Sequence, residues 1–407
     1  MCDCAVALGS ASARGATIFA KNSDRERDEA QPVRKLERAE HARDARVRCT
    51  YLEIPQARET AAVLGSGPFW CWGLEQGVNE HGLVIGNESV FTHEELELPA
   101  SGLLGMDLVR LALERCASAA EAVRTIGELI ERHGQGGKGW MHMNLGYSNG
   151  FLLADAREAW TLQTSSRRWA ARRTGEVETV SNQPSIGSDW ELASDDVESF
   201  AIERGWWSRD RGRLDFEEAY RSTRLFTAAG SEGRLRRSRA VLEAQQGQLA
   251  EREMFALLRD HGGAPVPRPA DKLEEAYYTI CAHNDVQGDT AASLVVAQDR
   301  STRWLSLTAP CTSVFLPLSV EGKVPAILER AEAEPSDDSA WWRFKRLQQA
   351  TEADFAERLP RVRDAFARLE ETFLAEESSS GDPATRMEAA TSRALEVADE
   401  LVRRFDG

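Results

Sequence analysis

The sequence predicts an α+β fold in which antiparallel sheets are covered by helices, with a helical tail at the C-terminal end. Three observations lead there. Strand-like runs come first, two segments with helical apolar spacing interrupt them, and strands return near residue 280. Strands grouped in runs, and not alternating singly with helices, argue against a βαβ repeat. Beyond about Asp337 the chain turns charged and helix-rich.

The opening reads as a hairpin. Cys4–Leu8 is short and apolar, residues 9–15 are turn-rich, and Thr17–Ala20 is β-branched and aromatic. Antiparallel pairing across that loop sets residue 2 opposite a residue near 22, so the polar cluster Lys21-Asn22-Ser23-Asp24-Arg25 ends the second strand beside the chain's first residues. Further strands are expected at Val47–Ile54, Ala61–Leu64, Leu83–Ile85, Gly150–Ala154, Ala159–Gln163 and Val177–Ser181. Helices are expected at Leu103–Ala117 and Ala119–His133. Strands return at Tyr277–Cys281, Ala292–Val296 and Trp304–Thr308. The tail reads as helices Trp341–Gln349, Glu352–Phe373 and Ala384–Phe405, broken by a loop at Ser378–Pro383 and packed on the core or on a partner.

Composition narrows the function classes. A length of 407 residues is ample for a buried core, and 42% hydrophobic with 29% charged residues is the balance of a soluble globular chain. The formal charge of −16 disfavours nucleic acid and anionic membrane surfaces. The N-terminus lacks the basic segment of a signal peptide, and no apolar run is long enough to insert in a membrane, so a cytoplasmic location is expected. One basic run, Arg234-Leu-Arg-Arg-Ser-Arg239, reads as a solvated helix face. Seven scattered cysteines do not suggest a disulfide framework, and Cys2-x-Cys4 is too close for a zinc knuckle. Neither a metal nor a cofactor is expected.

Cys2 has a reading of its own. Removal of Met1 leaves a thiol and an α-amine on one residue, and an amine with a pKa of about 7.7–8.0 accepts a thiol proton near neutrality. Taken alone, a Cys after Met is a weak signal, and the polar cluster alone reads as a turn; together they point to a nucleophile with neighbours. An aspartate such as Asp24 suits the ammonium, and a cation such as Lys21 suits substrate. Asn87 and Asn182, each closing a strand-like run, suit an oxyanion hole or plain strand-end structure. Asn79-Glu-His-Gly82 reads as a turn with Gly82 at positive φ and His81 as a turn residue. Gly134-Gln-Gly-Gly-Lys-Gly139 fits a dinucleotide fingerprint in letters only: it follows a helix and opens none, so it reads as a loop flanking a site.

These residues resemble peptidase family C69, of dipeptidase type, and within it the secernins. The motifs run in order: Cys2-Asp-Cys-Ala-Val-Ala-Leu8, Ile18-Phe-Ala-Lys-Asn-Ser-Asp-Arg25, Trp72-Gly-Leu-Glu-Gln-Gly-Val-Asn-Glu-His-Gly82, Gly86-Asn-Glu88, Leu104-Gly-Met-Asp107 and Ser181-Asn-Gln-Pro-Ser-Ile-Gly187. The resemblance implies a four-layer αββα sandwich of the N-terminal-nucleophile hydrolases over residues 1–320, with residues 321–407 as a helical C-terminal extension. It implies catalysis by Cys2, Asp24, Asn87 and Asn182, with Lys21 where relatives carry arginine and Arg239 as a late substrate-binding arginine. Lysine keeps the charge but loses the planar fork. The implied activity is dipeptidase-type hydrolysis of a small peptide or other amide, with no propeptide to cleave. Alternatives are an acyl-amide hydrolase or acyltransferase of choloylglycine-hydrolase type, and a non-catalytic interaction protein. A redox role for Cys2 and Cys4 strains the disulfide geometry. A homo-oligomer is compatible with all of these.

Overall fold

The computed structural model describes residues 1–94, 98–144, 146–222, 229–267, 279–284, 288–377 and 382–406. Two antiparallel sheets form its centre. In the first, the strand order is Val177–Val180, Cys2–Ala7, Ile18–Arg25, Gly288–Ala297, Thr302–Leu307 and Leu316–Ser319, with His283–Asn284 added against Gly288–Ala297. In the second it is Leu192–Ala193, Arg168–Arg173, Ala159–Ser165, Ser148–Ala154, Val84–Val90, Gln76–Asn79, Val63–Ser66 and Val33–Leu36.

The sheets pack face to face, and strand alternation shows how. Val84, Leu152 and Ala154 join one apolar core with Cys4 and Val6 of the first sheet. Their neighbours Ile85, Phe151 and Leu153 turn the other way, into a second core under helices Gly105–Arg115 and Ala119–His133. Ser118 caps the second of these helices through the Glu121 N–H, and Asp107 accepts from the Leu104 N–H at the start of the first. The outer face of the first sheet carries helices Ala229–Ala244 and Glu251–Leu258 together with the tail helices Ala340–Glu352, Phe355–Glu376 and Pro383–Asp406. The layers are therefore αββα, as expected.

The opening hairpin pairs Cys2 with Ser23 and Cys4 with Lys21. Its second strand runs through the polar cluster to Arg25, as the pairing of the two strand signals predicts. Gly288–Ala297 pairs along its other edge, so the polar cluster lies in a central, fully buried strand and not in a turn. Val47–Ile54 is a small hairpin of two short strands, Arg46–Arg48 and Glu53–Pro55. The strands Val33–Leu36, Gln76–Asn79, Arg168–Arg173 and Leu316–Ser319 carry no strong sequence signal. Tyr277 and Tyr278 of the expected strand Tyr277–Cys281, and residues 378–381 of the expected tail loop, lie outside the described residues.

Candidate active site around Cys2

Strand alternation sends the Cys2 and Cys4 side chains to one face and Asp3 to the other. On the inter-sheet face, Cys4 and Lys21 press against Gly86 of the second sheet. A Cβ there would lie 2.3 Å from Lys21 Cδ and 2.7 Å from Cys4 Sγ, so only glycine leaves room for the lysine. Cys2 is buried; its N–H donates to Asn182 Oδ1 at 2.7 Å, and its sulfur receives the Asp24 N–H at 3.5 Å. Burial pushes the Cys2 thiol above its ordinary pKa, and the Lys21 ammonium partly opposes this.

Lys21 has no solvent exposure. Its Nζ donates to the Asn87 carbonyl at 2.6 Å and to the Asn22 carbonyl at 3.4 Å. Burial works against its charge, yet Cys2, Cys4, Glu88 and Glu75 outweigh that and keep it protonated. Asp24 points away from the thiol. Its Oδ1 accepts from Thr290 at 2.7 Å, while Oδ2 is buried with no partner among the described residues. Burial lifts its pKa to about 6, against the pull of the chain's terminal ammonium and Arg234.

Asn87 and Asn182 are both brought to this cluster. The Asn87 side-chain amide lies between Asn149 and Glu75; with its nitrogen towards Glu75, it donates to Glu75 Oε2 at 3.0 Å and to the Glu75 carbonyl at 2.9 Å. Asn182 spends its amide N–H groups on the Ser89 carbonyl (2.8 Å) and hydroxyl (3.0 Å), while its Oδ1 faces the Cys2 nitrogen. Arg239 is not brought there. It is half exposed and pairs with Glu243 and Glu178. Arg234 takes the inner place: buried, it bonds Asp3, the Cys2 carbonyl at 3.2 Å and Asn182 Oδ1 at 2.8 Å. The two arginines share helix Ala229–Ala244 but, at ~100° per residue, point ~140° apart. The basic run is thus a solvated face at Arg236, Arg237 and Arg239 only.

The comparisons follow the same part of the chain. Residues 2–229 match the family model of peptidase family C69. The chain belongs to peptidase family C69. It is 31% identical over 147 residues to probable dipeptidase A of Streptococcus pyogenes serotype M3 (strain SSI-1), and equally to that of serotype M18 (strain MGAS8232). The match covers 34% of this chain and 27% of those relatives' length. Among solved structures it is similar to a mutant conjugated bile acid hydrolase from Clostridium perfringens, with 14% identity, TM-score 0.46, and 81% of this chain and 95% of that one covered. Penicillin V acylase from Agrobacterium tumefaciens gives 12% identity and TM-score 0.43, with 78% and 86% covered.

Two further buried ionisable groups adjoin this cluster in the C69 chain, Arg25 through Glu75 and Glu88 through Cys4 and Lys21. Arg25 is buried and bonds Glu75 at 3.0 Å, Glu29 at 2.6 Å and the Gly139 carbonyl at 2.6 Å, with its guanidinium over Trp140. The loop after helix Ala119–His133 therefore runs beside the site, as its glycines suggest. Glu88 is fully buried beside the Cys4 thiol, and no stronger donor among the described residues reaches its carboxyl oxygens. Burial drives its pKa up to about 8; Lys21 and Cys4 draw it down, while Asp3 and Glu75 add to the rise. The Asn79 side chain holds the following turn through the His81 and Leu83 N–H groups, with Gly82 at φ +86, so His81 is a turn residue.

Proposed function

We propose that this C69 chain is a cysteine amide hydrolase of dipeptidase type, with Cys2 as nucleophile once Met1 is removed. One observation carries the reading: the Cys2 nitrogen is held by Asn182 with Asp24 nearby, while its thiol is buried beside Lys21. A thiol raised above its ordinary pKa is protonated at neutral pH and needs a base. The α-amine freed with Met1 is that base.

In the proposed cycle the amine takes the thiol proton, and Sγ attacks the amide carbonyl carbon. The tetrahedral intermediate collapses as the amine returns the proton to the leaving nitrogen; the C–N bond breaks and a thioester remains. Water, deprotonated by the same amine, then releases the acid and restores the thiol. Asn182, Asp24 and Arg234 set the position of the Cys2 backbone. Lys21 favours the thiolate and does not meet substrate, because it is fully enclosed. Asn87 is the proposed oxyanion donor, exchanging its Glu75 partner for the developing charge. Substrates are small peptides or related amides.

Protein shown by intact mass to lack Met1 would be offered dipeptides and N-acyl amino acids. Hydrolysis that falls by roughly 10³-fold or more in Cys2→Ala, with loss of thioester labelling, is expected. Equal turnover by Cys2→Ala would sink the proposal.

A further inference from the structure

The fold gathers four metal-capable side chains that their spacing in the sequence does not announce. His261 follows helix Glu251–Leu258, Cys281 and His283 lie at the short strand His283–Asn284, and Cys311 sits in the 3-10 turn Pro310–Thr312. One ligand atom from each lies within 4.8 Å of all the others. His283 Nε2 is 3.1 Å from Cys311 Sγ and 3.6 Å from Cys281 Sγ. Both cysteines are free and buried. His261 is 7% exposed, and its Nε2 has no hydrogen-bond partner among the described residues.

A tetrahedral zinc ion with bonds of about 2.0–2.3 Å separates its ligands by about 3.3–3.8 Å. The His283–Cys281 contact of 3.6 Å falls in that range, and the His283–Cys311 contact of 3.1 Å lies just short of it. S–H···N hydrogen bonds to His283 account for part of this convergence, but they leave the buried His261 Nε2 without a partner among the described residues. We infer that His261, Cys281, His283 and Cys311 bind one Zn²⁺ in a closed Cys₂His₂ site. Two thiolates and two imidazoles suit this borderline-soft ion and not calcium or magnesium.

The surroundings support the assignment. His283 Nδ1 faces Glu352 Oε1 at 3.4 Å, and Glu352 is itself held by Gln348 at 2.7 Å and by Arg27. A carboxylate behind a ligating imidazole fixes its tautomer and orientation. A hollow of about 420 Å³, lined by Asp260, His261, Cys311, Leu359 and Arg363 among others, gives a path of entry. Four protein ligands leave no open coordination position, so the role is structural. The ion would clamp the segment containing Ala282, whose N–H donates to Thr290 Oγ1 at 3.0 Å; Thr290 in turn holds Asp24 at 2.7 Å. The site therefore lies behind the Cys2 cluster and steadies it, whatever bond Cys2 cuts.

The test uses the full chain produced with zinc and freed of loosely bound metal. Elemental analysis is expected to give about one zinc per chain. Exchange into Co²⁺ should give tetrahedral d–d bands with a thiolate-to-cobalt charge-transfer band. Cys311→Ser and His261→Ala should each lower bound zinc several-fold and abolish the stabilisation by zinc seen in thermal melts. Should those variants fail to fold, the cobalt spectrum of the unaltered chain decides. Zinc below about a tenth per chain with no thiolate–cobalt band, or a Cys281–Cys311 disulfide in the native protein, overturns the inference.

Discussion

At the scale of single residues, two buried carboxyls carry opposite consequences for pH. Asp24 is lifted to about 6 by burial, so it is ionised, and able to hold an ammonium, only above that value. In the proposed enzyme kcat/KM should rise with pH through an acid limb near 6. Asp24→Asn should remove that limb and lower activity at every pH; a limb that persists in the variant contradicts the role. Glu88 is held up to about 8, above its unfolded value of about 4.3. An acid raised on folding favours the native state fully below the unfolded pKa, and that advantage is lost as pH climbs through the folded one. Glu88→Gln should therefore gain on the unaltered protein by roughly 1.4 kcal/mol per pH unit between about pH 5 and 8. Denaturant melts across that range measure it, and a flat difference refutes it. Legibility at this scale followed chain distance. Cys2, Lys21 and Asp24 come together through one hairpin, which the spacing of two strand signals announces, whereas the partner of Asp3, Arg234, arrives from a helix 231 residues further along the chain.

Elements decide which member of a motif is used. In helix Ala229–Ala244, charge alone does not separate Arg234 from Arg239; the helix phase does, and phase is set by what the helix packs against. Its contacts with the strands Val177–Val180 and Cys2–Ala7 turn Arg234 inward onto Asp3. Removing one partner of a buried pair leaves the other charge desolvated, at a cost of about 3–5 kcal/mol. Arg234→Met should lose stability on that scale, while Arg239→Ala, which breaks an exposed pair with Glu243 and a 3.4 Å contact with Glu178 that Arg172 also holds at 2.7 Å, should stay within about 0.5 kcal/mol. Equal effects in parallel urea melts would mean the helix is turned otherwise. The same reasoning explains the strand Ile18–Arg25. Taken alone, its polar residues read as a turn, yet pairing on both edges and side-chain partners such as Gln31 for Ser23 and Ser293 for Asn22 keep it going. Strand signals read apolar alternation, and this strand buries polar groups by bonding them in pairs.

Over the whole molecule, the αββα layering was legible because strands cluster in runs, but the metal-capable cluster was not, since its four residues come from separate segments whose meeting only the folded chain arranges. The tail shows how tightly such long-range contacts are drawn. Trp341, Phe344, Leu347 and Phe366 lie in one core with Trp304 and Leu307 of the first sheet. Trp341 Nε1 donates to the Ala291 carbonyl at 2.9 Å, and Lys345 and Gln348 both reach buried Asp289 at 2.7 Å. Glu370 accepts from Arg259 and from the Phe315 N–H at 2.9 Å. Ending the chain after Ser336 would uncover this apolar face and leave Asp289 without Lys345 and Gln348. Each fully buried large side chain lost removes about 1.5–3 kcal/mol of burial, so a few exceed the 5–15 kcal/mol that typically holds a domain together. The shortened chain is expected to be insoluble or to lack a cooperative melt. A monodisperse species that unfolds cooperatively and still reacts at Cys2 would show that the sheet needs no cover from these helices.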